Sequence, residues 1–204
     1  MSMAEFSRII YKNKPTKLET FDRRHKLFKS LPVHKRALKA GLIVPKIYDI
    51  KEKDNKIYKY SEWIPGNTIQ HEMDNNPDLI EPICTDLARY MNELYDVDSI
   101  TAVDNHFENF VWSNNQVIYI DLKKLLYRDY YNHVLQMSKI CLKNCRGDRR
   151  KALIFLKEYA KHRDVEQVIN DCNNRKWLWK GINDNVVSIY PIELQEVLSD
   201  KKRI

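Results

Sequence analysis

Residues 102–122 read AVDNHFENFVWSNNQVIYIDL, and this stretch decides the expected fold. It places Asp104 in a loop, Asn109 five residues later, and Asp121 directly after an apolar segment. Aromatic and β-branched residues fill 110–112 and 117–120, which is typical of strands, and the Ser-Asn-Asn sequence between them is typical of a turn. The pattern therefore predicts a β-hairpin that holds three polar side chains at one end.

These three side chains have a chemistry that suits phosphoryl transfer. A loop carboxylate such as Asp104 can orient a hydroxyl group and accept its proton. Asn109 and Asp121 offer the hard oxygen ligands that Mg²⁺ on nucleotide phosphates requires. Asp and Asn are also favoured in turns and caps, so a purely structural role for all three is the alternative interpretation.

Periodicity and turn residues predict the remaining elements on both sides of this hairpin. Strands are predicted at residues 7–12, 43–50 and 56–64. Helices are predicted at residues 18–28, 31–40 (with Ser30 as the N-cap and Gly41 as the stop), 78–95, 130–142, 149–160, 164–172 and 192–198. The fold class is therefore α+β, with a strand-rich part at residues 1–66 and a larger helical part at residues 67–204.

Glycine is scarce in this chain. Its 204 residues include four glycines, where average usage near ~7% would give roughly fourteen. The glycine-clustered phosphate loops G-x-G-x-x-G and G-x-x-x-x-G-K-[ST] are therefore excluded, because both need several glycines close together.

Charge and cysteine content limit the partners and the compartment. The net charge of +7 and the isoelectric point of about 9.1 favour anionic partners, although a solvated lysine surface would give the same numbers. No apolar run approaches a membrane span or a secretory signal. Four cysteines are too few for a disulfide scaffold, and Cys141 with Cys145 lacks a complete set of metal ligands, so we expect a cytoplasmic protein.

The same residues resemble the protein-kinase-like superfamily, and most closely its lipopolysaccharide (Kdo/heptose) kinases and aminoglycoside-phosphotransferase-like enzymes. Those families have a loop of the type H-x-D-x-x-x-x-N followed by a strand ending in I-D-[LF], which matches residues 104–109 and 120–122. Residues 61–66, SEWIPG, are similar to the family's hinge pattern E-x-x-x-G, and residues 40–45, AGLIVP, to the connection that precedes the next strand. The resemblance covers residues 8–142.

This resemblance implies a two-lobed kinase-like fold with a reduced N-lobe at 1–66 and a helical C-lobe at 67–204. It implies a Mg²⁺/ATP-dependent phosphotransferase that acts on a hydroxyl of a glycan, small molecule or protein. Asp104 would be the catalytic residue, and Asn109 and Asp121 would be the metal ligands. The implied nucleotide contacts are Lys12 at the phosphates and Glu62, Trp63 and Ile64 at the adenine.

The chain also departs from the family pattern. Ala102 replaces the histidine that braces the catalytic loop, and the glycine-rich strands that cover the phosphates are missing. Lys14 and Lys17 compete with Lys12, and helix 31–40 has no glutamate to pair with the lysine, so Glu19 is the possible substitute. These departures favour the alternative of a pseudokinase-type binding module.

The basic residues are open to two further interpretations. The cluster that includes Arg36 and Lys39 could face an anionic acceptor, or it could be a solvated helix face. A nucleic-acid-binding domain is a third functional class, and we do not expect it because no strand segment combines clustered aromatic and basic residues.

Overall fold

The computed structural model describes residues 5–22, 27–145 and 148–175, which form helices and small antiparallel sheets. The strands are β1 (Glu5–Tyr11), β2 (Lys14–Asp22), β3 (Ile47–Lys53), β4 (Lys56–Glu62), β5 (Asn67–Thr68), β6 (Ile100–Ala102), β7 (Phe110–Ser113), β8 (Gln116–Tyr119) and β9 (Leu125–Tyr127). The helices are α1 (Leu27–Lys39), α2 (Ile69–Asn75), α3 (Ile80–Asp98), α4 (Tyr130–Lys139), α5 (Arg149–Ala160) and α6 (Glu166–Arg175). The predicted α+β class is confirmed.

The largest sheet lies in the strand-rich part and has the order β1-β2-β4-β3, with every pair antiparallel. Two-residue turns join β1 to β2 and β3 to β4, and both residues of each turn have positive φ: 50° and 61° at Lys12 and Asn13, 51° and 59° at Asp54 and Asn55. This is the left-handed geometry that tight hairpins need, and Asn and Asp tolerate it best.

Strand β2 corrects one sequence prediction, because residues 18–28 were expected to be helical. Pairing with β4 places Lys17, Glu19 and Phe21 on one side of β2, as the two-residue repeat of a strand requires, and Glu19 and Phe21 are buried there. The inward face carries two charged residues, so hydrophobicity alone did not reveal the strand. Residues 23–26, which include the basic pair Arg23 and Arg24, lie outside the described residues.

Helix α1 confirms the helix predicted at 31–40, but it begins four residues earlier, at Leu27. Ser30 is therefore not the N-cap; it lies inside the first turn, where its Oγ donates to the Leu27 carbonyl at 2.8 Å. Gly41 ends the helix as predicted, with a φ of 85° and its amide bonded to the Leu38 carbonyl at 3.0 Å. The inner face of the sheet meets α1 in a small apolar cluster of Phe21, Leu27 and Ile57.

The helical part surrounds the main hydrophobic core. Helix α3 confirms the prediction at 78–95, and it packs along α5 and against the hairpin strand β8. The sequence predictions missed helix α2, although Thr68 marks its start by accepting a hydrogen bond from the His71 amide at 3.3 Å. They also missed the short strands β5, β6 and β9.

The hairpin at the centre of the deciding stretch is present. Strands β7 and β8 pair with Phe110 opposite Tyr119, and Asn114 and Asn115 form the turn with positive φ. Strand β5 extends this sheet on the other side of β7, and β6 pairs separately with β9.

The last described elements are close to those predicted. Helix α4 ends at Lys139 and continues as a π-helix, Ile140–Asn144, whereas a single helix over 130–142 was expected. Helices α5 and α6 confirm the predictions at 149–160 and 164–172, and the helix predicted at 192–198 lies outside the described residues. Among the described residues, every helix is too short or too polar to cross a bilayer.

Candidate functional site

The loop after β6 fixes Asp104 by its backbone and leaves its carboxylate open. The Asp104 carbonyl accepts hydrogen bonds from Asn109 Nδ2 at 2.9 Å and from the Tyr119 hydroxyl at 3.2 Å. Its carboxylate is 37% exposed and lies 3.7 Å from Nε2 of His106. A base that must meet a hydroxyl group from solvent needs this combination of a fixed main chain and an accessible carboxylate.

Hairpin pairing places the second and third predicted residues beside the first. The Ile120 amide donates to the Asn109 carbonyl at 2.9 Å, so Asn109 lies across the ladder from the residue before Asp121. The side chain of Asn109 bonds to Asp104, as described above. The structure therefore brings Asp104, Asn109 and Asp121 into one region.

The loop has a brace that the sequence did not reveal. Asn105 is buried, and its Nδ2 donates to the Gln136 carbonyl of α4 at 2.6 Å. Asn144 in the π-helix donates to the Asn105 carbonyl at 2.5 Å, and Lys143 Nζ lies 3.2 Å from His106 Nε2. Single π-helical turns often occur at functional sites. Here the turn holds the loop at which Ala102 replaces the expected histidine.

Five charged residues, three of them buried, lie together around Asp121. Glu19 and Lys59 are opposite each other on β2 and β4, and Lys59 Nζ lies 2.5 Å from Glu19 Oε2. Lys17 Nζ is 3.4 Å from Glu19 Oε1, and Lys123 Nζ is 3.5 Å from Asp121 Oδ1. We call these five residues the charged cluster. Its three ammonium groups and two carboxylates leave a net positive charge, which suits a polyphosphate.

Two opposing effects set the pKa values in the charged cluster: burial favours the neutral forms, and neighbouring opposite charges favour the ionised forms. Burial raises the pKa of Glu19, but the ammonium groups of Lys59 and Lys17 outweigh burial and leave that pKa below its ordinary value. Burial also lowers the pKa of Lys59, against the pull of Glu19. The pKa of Asp121 is raised by burial, although Lys123 favours its ionised form. A cation bound at Asp121 would offset that desolvation.

Lys12 is not part of this cluster. It occupies the β1–β2 turn, where its side chain is 69% exposed and its Nζ lies 4.0 Å from Asp49. The lysines that form ion pairs with Glu19 are Lys17, one of the two competitors of Lys12, and Lys59, which the sequence did not indicate. Alternation in the strand sequence Ile-Tyr-Lys-Tyr-Ser was the available signal for Lys59, because it places the lysine on the same face as the buried Ile57.

The predicted hinge is held on both sides. The Glu62 amide donates to the Lys46 carbonyl at 2.8 Å, and the Lys46 amide donates to Glu62 Oε2 at 3.1 Å. The Trp63 amide donates to the Pro15 carbonyl at 3.3 Å. The amides of Glu62 and Trp63 therefore already donate hydrogen bonds within the protein. Ile64 is the next residue of the same segment.

The helix that packs near the charged cluster presents histidine instead of glutamate. His34 of α1 is buried, and its Nε2 lies 2.8 Å from the Pro45 carbonyl. Burial lowers the pKa of His34, and Lys59 lowers it further, so the neutral form is favoured. Glu19, on β2, supplies the carboxylate that helix α1 lacks.

Asn109 and Asp121 carry oxygen donors of the kind that a hard divalent cation takes, although they are few. In residues 5–22, 27–145 and 148–175, no group of three or more His, Cys, Asp and Glu side chains could hold a metal. The candidate set is instead one amide, Asn109, and one carboxylate, Asp121. Mg²⁺ bound with a nucleotide commonly takes few protein ligands, because phosphates and water complete its coordination.

No family model matches this chain, and a search of curated proteins finds no relative.

Proposed function

We propose that this chain is a kinase-like, Mg²⁺/ATP-dependent phosphotransferase that acts on a hydroxyl group of a glycan, small molecule or protein. The observation that carries the proposal is the hairpin, which gathers Asp104, Asn109 and Asp121 beside the buried Glu19–Lys59 pair. In this proposal, the four-stranded sheet and α1 form a reduced N-lobe, and the helical part forms the C-lobe. We retain the cytoplasm as the proposed compartment.

Asp104 is the proposed general base. Its Oδ atoms would accept the proton of the acceptor hydroxyl while that oxygen attacks the terminal phosphate in line. The hydrogen bonds to its carbonyl and the brace through Asn105 hold the loop, so little reorganisation is needed at the moment of reaction.

Lys17 replaces Lys12 as the proposed phosphate contact. The side chain of Lys17 is 18% exposed, whereas that of Lys59 is 1% exposed and lies against Glu19. Lys17 can therefore reach a ligand, and Lys59 fixes the orientation of Glu19. Lys123, which is 25% exposed, is a further ammonium group on the same side of Asp121.

Asn109 and Asp121 would hold Mg²⁺ through their side-chain oxygens. When bound with ATP, the ion neutralises charge on the transferring phosphate. The adenine would lie against the hinge segment of Glu62, Trp63 and Ile64. Because the Glu62 and Trp63 amides already donate within the protein, their carbonyls and the Ile64 backbone are the proposed contacts.

Radiolabelled ATP tests the proposal directly. The Asp104→Asn variant should transfer or hydrolyse the terminal phosphate at least about 100-fold more slowly than the wild type, because a positioned base typically contributes that much. Asp121→Asn should abolish the Mg²⁺-dependent turnover. The matched control, Asp78→Asn, changes an exposed aspartate outside the site and should keep full turnover. Equal turnover in all four proteins would contradict the assignment.

The alternative is a pseudokinase-type binding module without catalysis, and Lys123 is the observation that favours it. Its ammonium group already neutralises Asp121 and could replace the metal ion. Thermal melting with ATP separates the two functions, since any ligand that binds only the folded state raises the melting temperature. No shift, or a Mg²⁺-independent shift without turnover, supports the binding module, and a Mg²⁺-dependent shift with turnover supports the enzyme.

A further inference from the structure

The outer face of the four-stranded sheet carries tyrosines and lysines. Strand register places Tyr11, Tyr58, Tyr60 and Lys51 on the side opposite Lys59: Tyr60 is paired with Leu18 and Asp49, and Tyr58 with Thr20 and Lys51. We call this surface the outer tyrosine face. None of these four residues belongs to either hydrophobic cluster of the described chain.

The rings and ammonium groups of this face are close together. Tyr11 and Tyr60 stack with their ring centroids 4.3 Å apart. Lys51 Nζ lies 5.2 Å from the Tyr11 centroid and 5.4 Å from that of Tyr60, and Lys12 Nζ lies 5.2 Å from the Tyr11 centroid. Lys14 contacts the neighbouring Tyr48 ring at 5.2 Å. On this face, therefore, lysine ammonium groups lie beside the tyrosine rings.

One carboxylate holds this arrangement in place. Asp49 Oδ2 accepts from the Tyr11 hydroxyl at 2.5 Å and lies 4.0 Å from both Lys12 and Lys51. The Tyr11 hydrogen bond is the main cause of the lowered pKa of Asp49. Strand register also places Glu62 on this side of the sheet. Lys12, Lys14 and Lys51 outnumber these two carboxylates, so the surface keeps a net positive charge.

We propose that the outer tyrosine face binds single-stranded nucleic acid. Unpaired bases stack on aromatic side chains, and lysines beside the rings neutralise the phosphates that follow. A duplex hides the faces of its bases, so the same rings would not be used. The net charge of +7 on the whole chain favours a polyanionic partner of this kind.

Folding creates this surface from residues that are far apart in sequence. Tyr11 and Tyr60 are 49 positions apart. They come together because β2 pairs with both of their strands, β1 and β4. This is why the contiguous sequence, which lacks an aromatic–basic cluster, led us to expect no nucleic acid partner. The inference is independent of the proposed phosphotransfer, since the outer tyrosine face is on the opposite side of the sheet from the charged cluster.

Fluorescence anisotropy with labelled oligo(U) and oligo(dT) of about fifteen nucleotides tests the proposal on the full chain. Tyr58→Leu should weaken binding at least about fivefold, because stacking on one ring is worth that much or more. Lys51→Gln should weaken binding and reduce the slope of log affinity against log salt by about 0.7. Asp49→Asn should tighten binding, since it removes the negative charge that lies 4.0 Å from both Lys12 and Lys51.

Matched controls separate base stacking from general charge. Tyr127→Leu and Lys157→Gln change an exposed strand tyrosine and an exposed helix lysine elsewhere, and both should bind like the wild type. Heparin, which has charge without bases, should respond to Lys51→Gln but not to Tyr58→Leu. Oligo(U) against oligo(dT) shows whether RNA or DNA is preferred.

Three results would overturn the proposal. The first is no binding of either oligonucleotide by the wild type. The second is equal competition by duplex DNA and by anionic vesicles of phosphatidylserine, and the third is unchanged affinity in Tyr58→Leu and Asp49→Asn. Circular dichroism and thermal melting confirm that each variant is folded before its affinity is compared.

Discussion

At the scale of single residues, removing one partner of the Glu19–Lys59 pair should destabilise the protein more than replacing both partners with apolar residues. Lys59→Met leaves a buried carboxylate with reduced compensation, and removing one partner of such a pair typically costs about 3–5 kcal/mol. The double variant Lys59→Met/Glu19→Leu leaves neither charge and should be more stable than the single variant. Urea unfolding of the wild type and both variants measures this order.

The opposite order would show that the two charges are not coupled as their 2.5 Å contact indicates. Lys17→Met is the comparison, because the Lys17 side chain is more exposed than that of Lys59 and lies farther from Glu19, at 3.4 Å. Lys59 still compensates the Glu19 carboxylate in that variant, so the loss of unfolding free energy should be smaller than in Lys59→Met.

The sequence predicted that the three hairpin residues would lie together, but it did not predict the pairing of Lys59 with Glu19. Asp104, Asn109 and Asp121 could be found because they are separated by one hairpin, whose turn residues fix the geometry locally. Lys59 and Glu19 meet through pairing of strands 40 positions apart, and no local signal gives that register. The incorrect helix at 18–28 concealed the pairing, because it placed Glu19 on a helix.

At the scale of elements, two glycines with positive φ should differ sharply in their tolerance of alanine. Gly41 has a φ of 85° and open space where a Cβ would be, so Gly41→Ala should cost only the left-handed strain of about 1–2 kcal/mol. Gly66 has a φ of 122°, and a Cβ there would lie 2.3 Å from the Trp112 carbonyl oxygen. Gly66→Ala should therefore destabilise the protein considerably more.

Thermal melting of both glycine variants gives the comparison, with Gly41→Ala as the reference for strain alone. The Gly66 clash is with β7, so hydrogen exchange should also rise at the β5–β7 pairing in Gly66→Ala. Equal melting temperatures would mean that the backbone at residue 66 moves without cost, and that the hinge is not fixed against the hairpin sheet.

The π-helix should matter for the loop more than for overall stability. Asn144→Ala removes the 2.5 Å hydrogen bond to the Asn105 carbonyl, so hydrogen exchange in residues 103–109 should increase, and any phosphotransfer should slow. Asn132→Ala is the matched control on α4, where Asn132 Nδ2 donates to the N-cap residue Asp129 at Oδ1, at 2.9 Å. If both variants exchange alike in the loop, the brace does not hold it.

Elements could be predicted where the local sequence specifies them. They were missed where they depend on pairing with strands that are distant in sequence. The apolar residues of helix α3 recur at helical spacing, and the Asn114–Asn115 pair is typical of a hairpin turn. Strands β5, β6 and β9 are two or three residues long and exist only because neighbouring strands provide hydrogen bonds. The π-helix likewise follows from packing on the loop and has no counterpart in the periodicity of residues 130–142.

At the scale of the whole molecule, one buried histidine should make stability depend on pH. His133 is fully buried, and its ring lies 4.3 Å from that of Tyr95, with Tyr130 and Tyr159 nearby. Burial lowers the pKa of His133 to about 3, and the positive charge of Arg163 contributes in the same direction. The folded protein therefore keeps this histidine neutral, whereas the unfolded chain protonates it near pH 6.5.

The sign of the effect follows from these two pKa values. The stabilisation is complete above pH 6.5 and is lost as the pH falls from 6.5 towards 3, because only the unfolded chain binds the proton. His133 contributes about 1.4 kcal/mol of unfolding free energy per pH unit in that window.

His133→Phe keeps a ring between the tyrosines and should remove this contribution. Its unfolding free energy should therefore change less than that of the wild type between pH 7 and pH 5 in urea titrations. His34, whose pKa burial also lowers, acts equally in both proteins and cancels from the difference. Identical pH slopes in the two proteins would mean that His133 becomes charged in the folded state, which requires that its aromatic surroundings open.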